Sequence, residues 1–267
     1  MKDMPQLGIG TFRLEGDVAR DAVTNALDVG FRHIDTAQIY GNEAQVGDAI
    51  QTSGIARSDL FVTTKVWYES LGDDHFIPSV HESLAKLKLE YVDLLLVHWP
   101  YPGTDIALEA YLTQLAEAKK LGLARHIGVS NFTIDLMDKA EAILGKGELY
   151  TNQIELHPFM QNQQVVKACR DKGIRVTAYM PFAVGDVMKD DTLKQIADAH
   201  DATPAQVVLS WMEKRHYYAI PSSTSRQHLS ENLAYGGVQL SDEELLRIDG
   251  LDNGKRIVDP DFAPQWD

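Results

Sequence analysis

The chain has 267 residues and a formal net charge of -14, from 39 acidic against 25 basic residues, with 44% hydrophobic content. Such a field repels a phosphate backbone from most of the surface, which sets nucleic acid aside as a partner. Cys169 is the only cysteine, so neither an internal disulfide nor a cysteine-rich metal site can form. No apolar run approaches a membrane span and Met1 to Gly10 has no leader pattern, so an unprocessed cytoplasmic protein without a membrane partner is expected.

Short runs rich in Val, Ile, Leu and Phe alternate along the chain with longer segments of helical period, the mark of parallel strands and their covering helices. The first strand is expected at Leu7 to Gly10, before an amphipathic segment, Val18 to Val29, that Gly30 can terminate. His33 to Asp35 and Leu60 to Lys65 are the second and third strands, and Phe76 to Leu87 is the helix that follows. Val92 to His98, helix Leu108 to Lys120 closed by Gly122, Ala124 to Val129, helix Ile134 to Ile143 and Tyr150 to Ile154 continue the alternation. Helix Gln163 to Asp171, closed by Gly173, leads to Ile174 to Tyr179, and residues 190–215 leave room for two helices before the last strand, Tyr217 to Ile220. Thr203-Pro204 starts one of them with a side-chain cap and a proline in the first turn. Eight strands with intervening helices fit one α/β (β/α)8 TIM barrel of about 250 residues. The whole of 1–267 is expected to be a single domain, with a tail from about residue 250 to 267 that closes over the substrate site.

In such a barrel the active site is assembled at the C-terminal ends of the strands. Asp35 ends the second strand, Tyr40 follows in its loop, Lys65 ends the third and His98 the fourth. Taken singly, a strand-end lysine can snorkel and a histidine can sit satisfied in a core. Four such residues converging on one rim are harder to explain that way.

The stretch Gly30 to Gly47, together with LLLVHWP, GVSNF, NQIELHP and IPSSTSRQHLSEN in that order, resembles the aldo-keto reductase family from Gly8 to the C-terminus. Within it the chain is most similar to the bacterial 2,5-diketo-D-gluconate reductases, with their short N-terminus and compact loops. The resemblance implies a nicotinamide-dependent reductase of aldehydes and ketones, with 2,5-diketo-D-gluconate, methylglyoxal and related small carbonyls as candidate substrates. Hydride delivery leaves an alkoxide-like oxygen that must be protonated. Tyr40 is the expected general acid, made more acidic by Lys65; Asp35 holds Lys65, and a buried, neutral His98 orients the carbonyl.

No G-x-G-x-x-G follows a strand, Gly8 and Gly10 falling short of it, so a Rossmann site is not indicated. The resemblance instead implies Ser130, Asn131 and Gln153 as contacts of the nicotinamide amide and Tyr179 as the ring stacked on it. It also implies an anion site after the eighth strand. There Ser222 stands in place of the family's usual lysine and His228 in place of an arginine, while Ser223, Glu231 and Asn232 are kept and Thr224 and Arg226 lie alongside. NADPH is expected, with NADH as the alternative cofactor. Phe12, Trp67, Trp99 and Phe159 lie just beyond strand ends and are expected to line the substrate mouth, with Phe262 and Trp266 in the tail.

Other readings stay open on residues alone. Lys65 could be the nucleophile of a Schiff-base lyase, though Asp35 would keep it charged. The barrel could be a non-catalytic NADP-binding regulatory module. A metal hydrolase is disfavoured because no histidine or carboxylate shows metal-ligand spacing. A monomer is expected, since no exposed apolar strand or heptad offers an interface.

Overall fold

Eight parallel strands follow one another in chain order around one sheet, described in a computed structural model over residues 3–267. They are β1 (Ile9–Gly10), β2 (His33–Asp35), β3 (Phe61–Val66), β4 (Val92–Val97), β5 (Ala124–Ser130), β6 (Leu149–Glu155), β7 (Arg175–Tyr179) and β8 (Tyr218–Ala219). The two edges meet: Ala219 N–H donates to Gln6 O at 2.8 Å, Gly8 N–H to Ala219 O at 2.8 Å and Gly10 N–H to Pro221 O at 3.0 Å. These bonds close the (β/α)8 barrel. They also explain why β1 and β8 are shorter than Leu7 to Gly10 and Tyr217 to Ile220, because the closing bonds there are isolated rather than laddered.

The helices are α1 (Gly16–Val29), α2 (Glu43–Thr52), α3 (Phe76–Leu87), α4 (Leu108–Lys120), α5 (Ile134–Leu144), α6 (Gln163–Lys172), α7 (Asp191–Ala199), α8 (Pro204–Lys214), α9 (Arg226–Leu233) and α10 (Asp242–Asp249). Gly30 and Gly173 cap α1 and α6 at positive φ, and Thr203 opens α8 with a capping box. Helix α2 was not legible from periodicity, since its sequence EAQVGDAIQT dilutes the apolar stripe with Gln and Gly. Its Gly47 is a packing requirement: a Cβ there would lie 2.6 Å from Lys86 O and 2.7 Å from Leu87 C at the end of α3. Among the described residues no helix is long and apolar enough to cross a membrane.

Alternation along the strands sorts side chains between two cores. Val62, Val66, Leu95 and Val97 join the large apolar layer beneath the helices. Phe61, Leu94, Leu96, Tyr150 and Met4 form a separate cluster inside the barrel. On the same alternation Phe61, Thr63 and Lys65 share one side of β3, and Leu94 and Leu96 share a side with His98. The barrel is therefore plugged by hydrocarbon low down and lined by ionisable groups at its upper rim.

His33, at the start of β2, is buried with Nε2 3.2 Å from Thr63 Oγ1. Burial pushes its imidazole down to about 4 from an ordinary 6.5. The unfolded chain then takes up the proton first, so this contribution to stability is complete above pH about 6.5 and is lost as pH falls toward about 4. His33→Gln should remove that dependence. Urea unfolding at pH 7 and pH 4.5 should show the parent losing roughly 2–3 kcal/mol more than the variant between the two conditions. Parallel losses in both proteins would show that His33 is not the coupled group.

Candidate active site

Asp35 closes β2, whose register aligns it with Thr63 on β3, and Lys65 lies two residues further along β3. Lys65 Nζ is 2.5 Å from Asp35 Oδ1, 2.9 Å from Thr36 O and 3.3 Å from the Tyr40 hydroxyl. The side chains of Lys65 and Asp35 are 0% and 1% exposed, so solvent does not screen the pair. The second oxygen of Asp35 accepts from Gln153 Nε2 at 2.7 Å, across the barrel on β6. One carboxylate thus ties together β2, β3 and β6.

Tyr40 ends a 3₁₀ turn, Gln38–Tyr40, that leaves β2. Its turn is pinned by Gln38, whose Oε1 accepts from Trp67 N–H at 2.9 Å and whose Nε2 donates to Ser79 and Ser83 on α3. Sequence reasoning missed Gln38, which looks like any polar loop residue. Burial raises the Tyr40 phenol above its ordinary 10, Lys65 opposes that rise, and Asp35 adds to it. The expectation of a phenol made more acidic than free tyrosine is thus corrected for the protein alone: desolvation outweighs the lysine. Lys65 itself is raised above 10.5, since Asp35 and Tyr40 more than offset its burial.

His98 follows β4, and its ring lies edge-on to Tyr40 at 5.5 Å and to Trp67 at 5.3 Å between centroids. Burial and then Lys65 hold it well below 6.5, so the imidazole is neutral at pH 7. Its Nδ1 is buried without a protein partner, so the tautomer is left to whatever meets the ring at the mouth.

Ser130 and Asn131 leave β5 beside this cluster. Ser130 Oγ donates to Gln153 O at 2.8 Å; Asn131 Nδ2 donates to His98 O at 3.0 Å, and Asn131 Oδ1 accepts from the Tyr179 hydroxyl at 2.8 Å. Asn131 adopts a left-handed φ of 62°, a conformation asparagine tolerates better than most residues. Ser130, Asn131, Gln153 and Tyr179 therefore stand together with the Tyr40 cluster. Ser222, Thr224, Arg226 and His228 lie exposed, with Ser223 partly covered, around the start of α9, where Ser225 caps the helix. Asn232 is buried in α9, and Glu231 Oε1 accepts from Gln227 at 2.8 Å. Arg226 bonds Asp28 at 2.9 Å and Asn25 at 3.4 Å on α1, a partnership that the sequence did not indicate.

Phe12 packs on Tyr40 at 5.2 Å. Trp67 and Trp99 face the tail residue Phe262 at 5.8 and 5.4 Å, and Trp266 lies 6.0 Å from Trp99. Phe159 is not brought to this wall: it is buried in the main core against His157, and its carbonyl accepts from Asn253 and Lys255 N–H.

Residues 6–253 match the sequence profile of the Aldo/keto reductase family. The chain is 50% identical over 265 residues, 99% of each chain, to methylglyoxal reductase DkgB of Escherichia coli O157:H7. It is 39% identical to the 9,11-endoperoxide prostaglandin H2 reductase of Trypanosoma cruzi, over 98% of this chain and 93% of that one. Among solved structures, a putative 2,5-diketo-D-gluconic acid reductase B superposes with a TM-score of 0.95 at 42% identity, covering 99% of this chain and 94% of the other. Profile, full-length identity and superposition agree that the chain belongs to the aldo/keto reductase family.

Proposed function

We propose that this oxidoreductase, which reduces carbonyl groups with a nicotinamide cofactor, acts on small dicarbonyls of the methylglyoxal type and on diketo sugar acids, prefers NADPH, and uses Tyr40 as proton donor. The observation that carries the reading is the Tyr40 hydroxyl 3.3 Å from a buried, charged Lys65, beside the neutral His98 ring. The names of the bacterial relatives support the substrate class. The same geometry disfavours a Schiff-base role, because Asp35 holds the Lys65 amine protonated.

The donor set suits a nicotinamide. Asn131 and Gln153 present carboxamides, the group best matched to a carboxamide ligand, and Tyr179 offers an aromatic face beside them. The cofactor supplies hydride to the substrate carbon. Tyr40 then gives its proton to the carbonyl oxygen, Lys65 stabilises the phenolate left behind, and Asp35 with Gln153 keeps the ammonium in place. The His98 ring, neutral and free at its mouth side, orients the carbonyl by a hydrogen bond. Phe12, packed on Tyr40, and Trp67 and Trp99, packed on Phe262, give the mouth an apolar wall suited to a small carbonyl compound. The exposed large hydrophobics are few, and Val18, Leu121 and Leu246 lie in or at the end of different helices, which supports a monomer; the lone Cys169 suits the reducing cytoplasm.

A 2'-phosphate would meet the hydroxyls of Ser222, Ser223 and Thr224, His228, and a guanidinium already shared with Asp28. That sharing, on a protein of net charge -14, limits the margin for NADPH over NADH. Steady-state reduction of methylglyoxal should therefore favour NADPH modestly, with the margin narrowing as salt rises. Arg226→Ala should weaken NADPH more than NADH. No turnover of methylglyoxal or diketo acids would overturn the substrate reading, and equal loss with both cofactors would remove Arg226 from the phosphate site.

A further inference from the structure

Glu155, the last residue of β6, is a fully buried carboxylate that the chemistry above does not use. Among the described residues no lysine or arginine lies within ion-pair distance of it, and Arg256 acts on it only through space. It is satisfied by three N–H donors instead: Oε1 accepts from Ile257 N–H at 2.7 Å and lies 3.0 Å from His157 Nε2, and Oε2 accepts from Val258 N–H at 2.7 Å. Two of the three come from the backbone of the tail. Its own carbonyl accepts from Asn162 Nδ2 at 2.6 Å, and Asn162 Oδ1 accepts from Arg256 at 3.1 Å. Arg256 in turn lies over the Trp266 ring at 3.8 Å. Downstream of the two amides the tail carries Phe262 against Trp67, Tyr68 and Trp99, and its Asp267 carboxylate accepts from Ile134 N–H at 3.0 Å at the start of α5.

We infer that Glu155 is a positioning residue for substrate binding: it fixes the tail at residues 257 and 258, and through that fixed point holds Phe262 as one wall of the mouth. Phe262 lies four positions beyond Val258, so the anchor sets where the phenyl ring can reach. A carboxylate suits the task because it has acceptors only, so both oxygens can take an amide without competition. A glutamine in its place must turn an NH2 group toward one of the tail amides, donor against donor. On β6, Glu155 pairs in register with Tyr179 on β7 and sits two residues beyond Gln153, so the fixed point of the tail is built on the strand that also contacts Asp35. A strand-borne anchor is more rigid than one on a loop.

The inference rests on the reading of the mouth as a carbonyl site only in its kinetic arm, and two full-length variants test it from opposite sides. Glu155→Gln spoils one oxygen; Val258→Pro deletes the amide that the other oxygen accepts and leaves every strand and helix residue of the barrel unsubstituted. Hydrogen bonds to a charged group are each worth enough to shift a local opening equilibrium by roughly tenfold or more. Limited trypsin digestion should accordingly cut after Lys255 or Arg256 about tenfold faster in either variant than in the parent, while barrel sites stay protected. The KM for methylglyoxal should rise several-fold with kcat and cofactor affinity little changed. The double variant should fall short of the sum of the two single effects, because both weaken the same link. Parent-like trypsin cleavage in Val258→Pro would overturn the anchor, whatever the fate of Glu155→Gln. Faster cleavage with an unchanged KM would overturn the link from the anchor to the mouth. A protein that reduces no carbonyl at all but still shows the cleavage pattern would reject the proposed function while keeping the anchor.

Discussion

Tyr40→Phe is expected to lower carbonyl reduction by ~100-fold or more, the usual contribution of a positioned general acid, while cofactor affinity stays within a few-fold of the parent. The substitution removes one oxygen and little packing. Phe12 keeps its ring contact at 5.2 Å and His98 its edge-on contact at 5.5 Å, so the local aromatic cluster survives. What disappears is the proton next to Lys65. Burial keeps the phenol protonated across the neutral range, and a donor in the reductive direction needs that state. On the proposed mechanism Lys65 acts later, when negative charge develops on the tyrosine oxygen. Fluorescence titration with cofactor separates binding from turnover. Activity within about tenfold of the parent would remove Tyr40 from the chemistry, since a positioned acid contributes more than that.

Lys65→Met should damage both stability and catalysis. The side chain is fully buried and its ammonium satisfies Asp35, Thr36 O and Tyr40 at once. Without it Asp35 keeps only Gln153 at 2.7 Å, and breaking one partner out of a buried ion pair typically costs about 3–5 kcal/mol. The Tyr40 phenol should rise further, because the two influences of Lys65 that lower it vanish and the raising ones remain. Turnover should fall by ~100-fold or more, as the phenolate loses its counter-charge. Denaturant unfolding and single-turnover kinetics measure the two effects apart. Asp35→Asn combined with Lys65→Met should recover part of the stability by removing the stranded charge, without recovering turnover. A variant that loses stability alone would make Lys65 a structural ion-pair partner.

The strands and the rim residues were legible because both are written in local patterns. Asp35, Lys65 and His98 each terminate an apolar run, and the barrel's topology brings any such ends together. The direction of the Tyr40 shift was not legible, because it depends on how much water the fold removes from around the phenol, a property of packing rather than of order along the chain. Arg226 shows the same limit: its type and place were readable, but its bond to Asp28 joins α9 to α1 across nearly the whole sequence. Phe159 was read as a mouth residue from its place beyond β6. The fold turns it into the core and uses its carbonyl to bind the start of the tail. Glu155 did carry a signal, since it alternates with Gln153 on a strand whose seven residues are all buried. A carboxylate buried on such a strand requires partners, and two of the three came from about a hundred residues downstream.

The Asp35 carboxylate, bonded to Lys65 on one side and Gln153 on the other, acts as a cross-brace spanning the interior from β2 to β6. It lies wholly within the strands and owes nothing to the segments that shape the mouth. The Lys65 ammonium is therefore held independently of the tail: that segment can be redesigned for other carbonyls while the brace keeps Asp35, Lys65 and Gln153 in register, provided the Tyr40 turn keeps its Gln38 bond to Trp67 N–H.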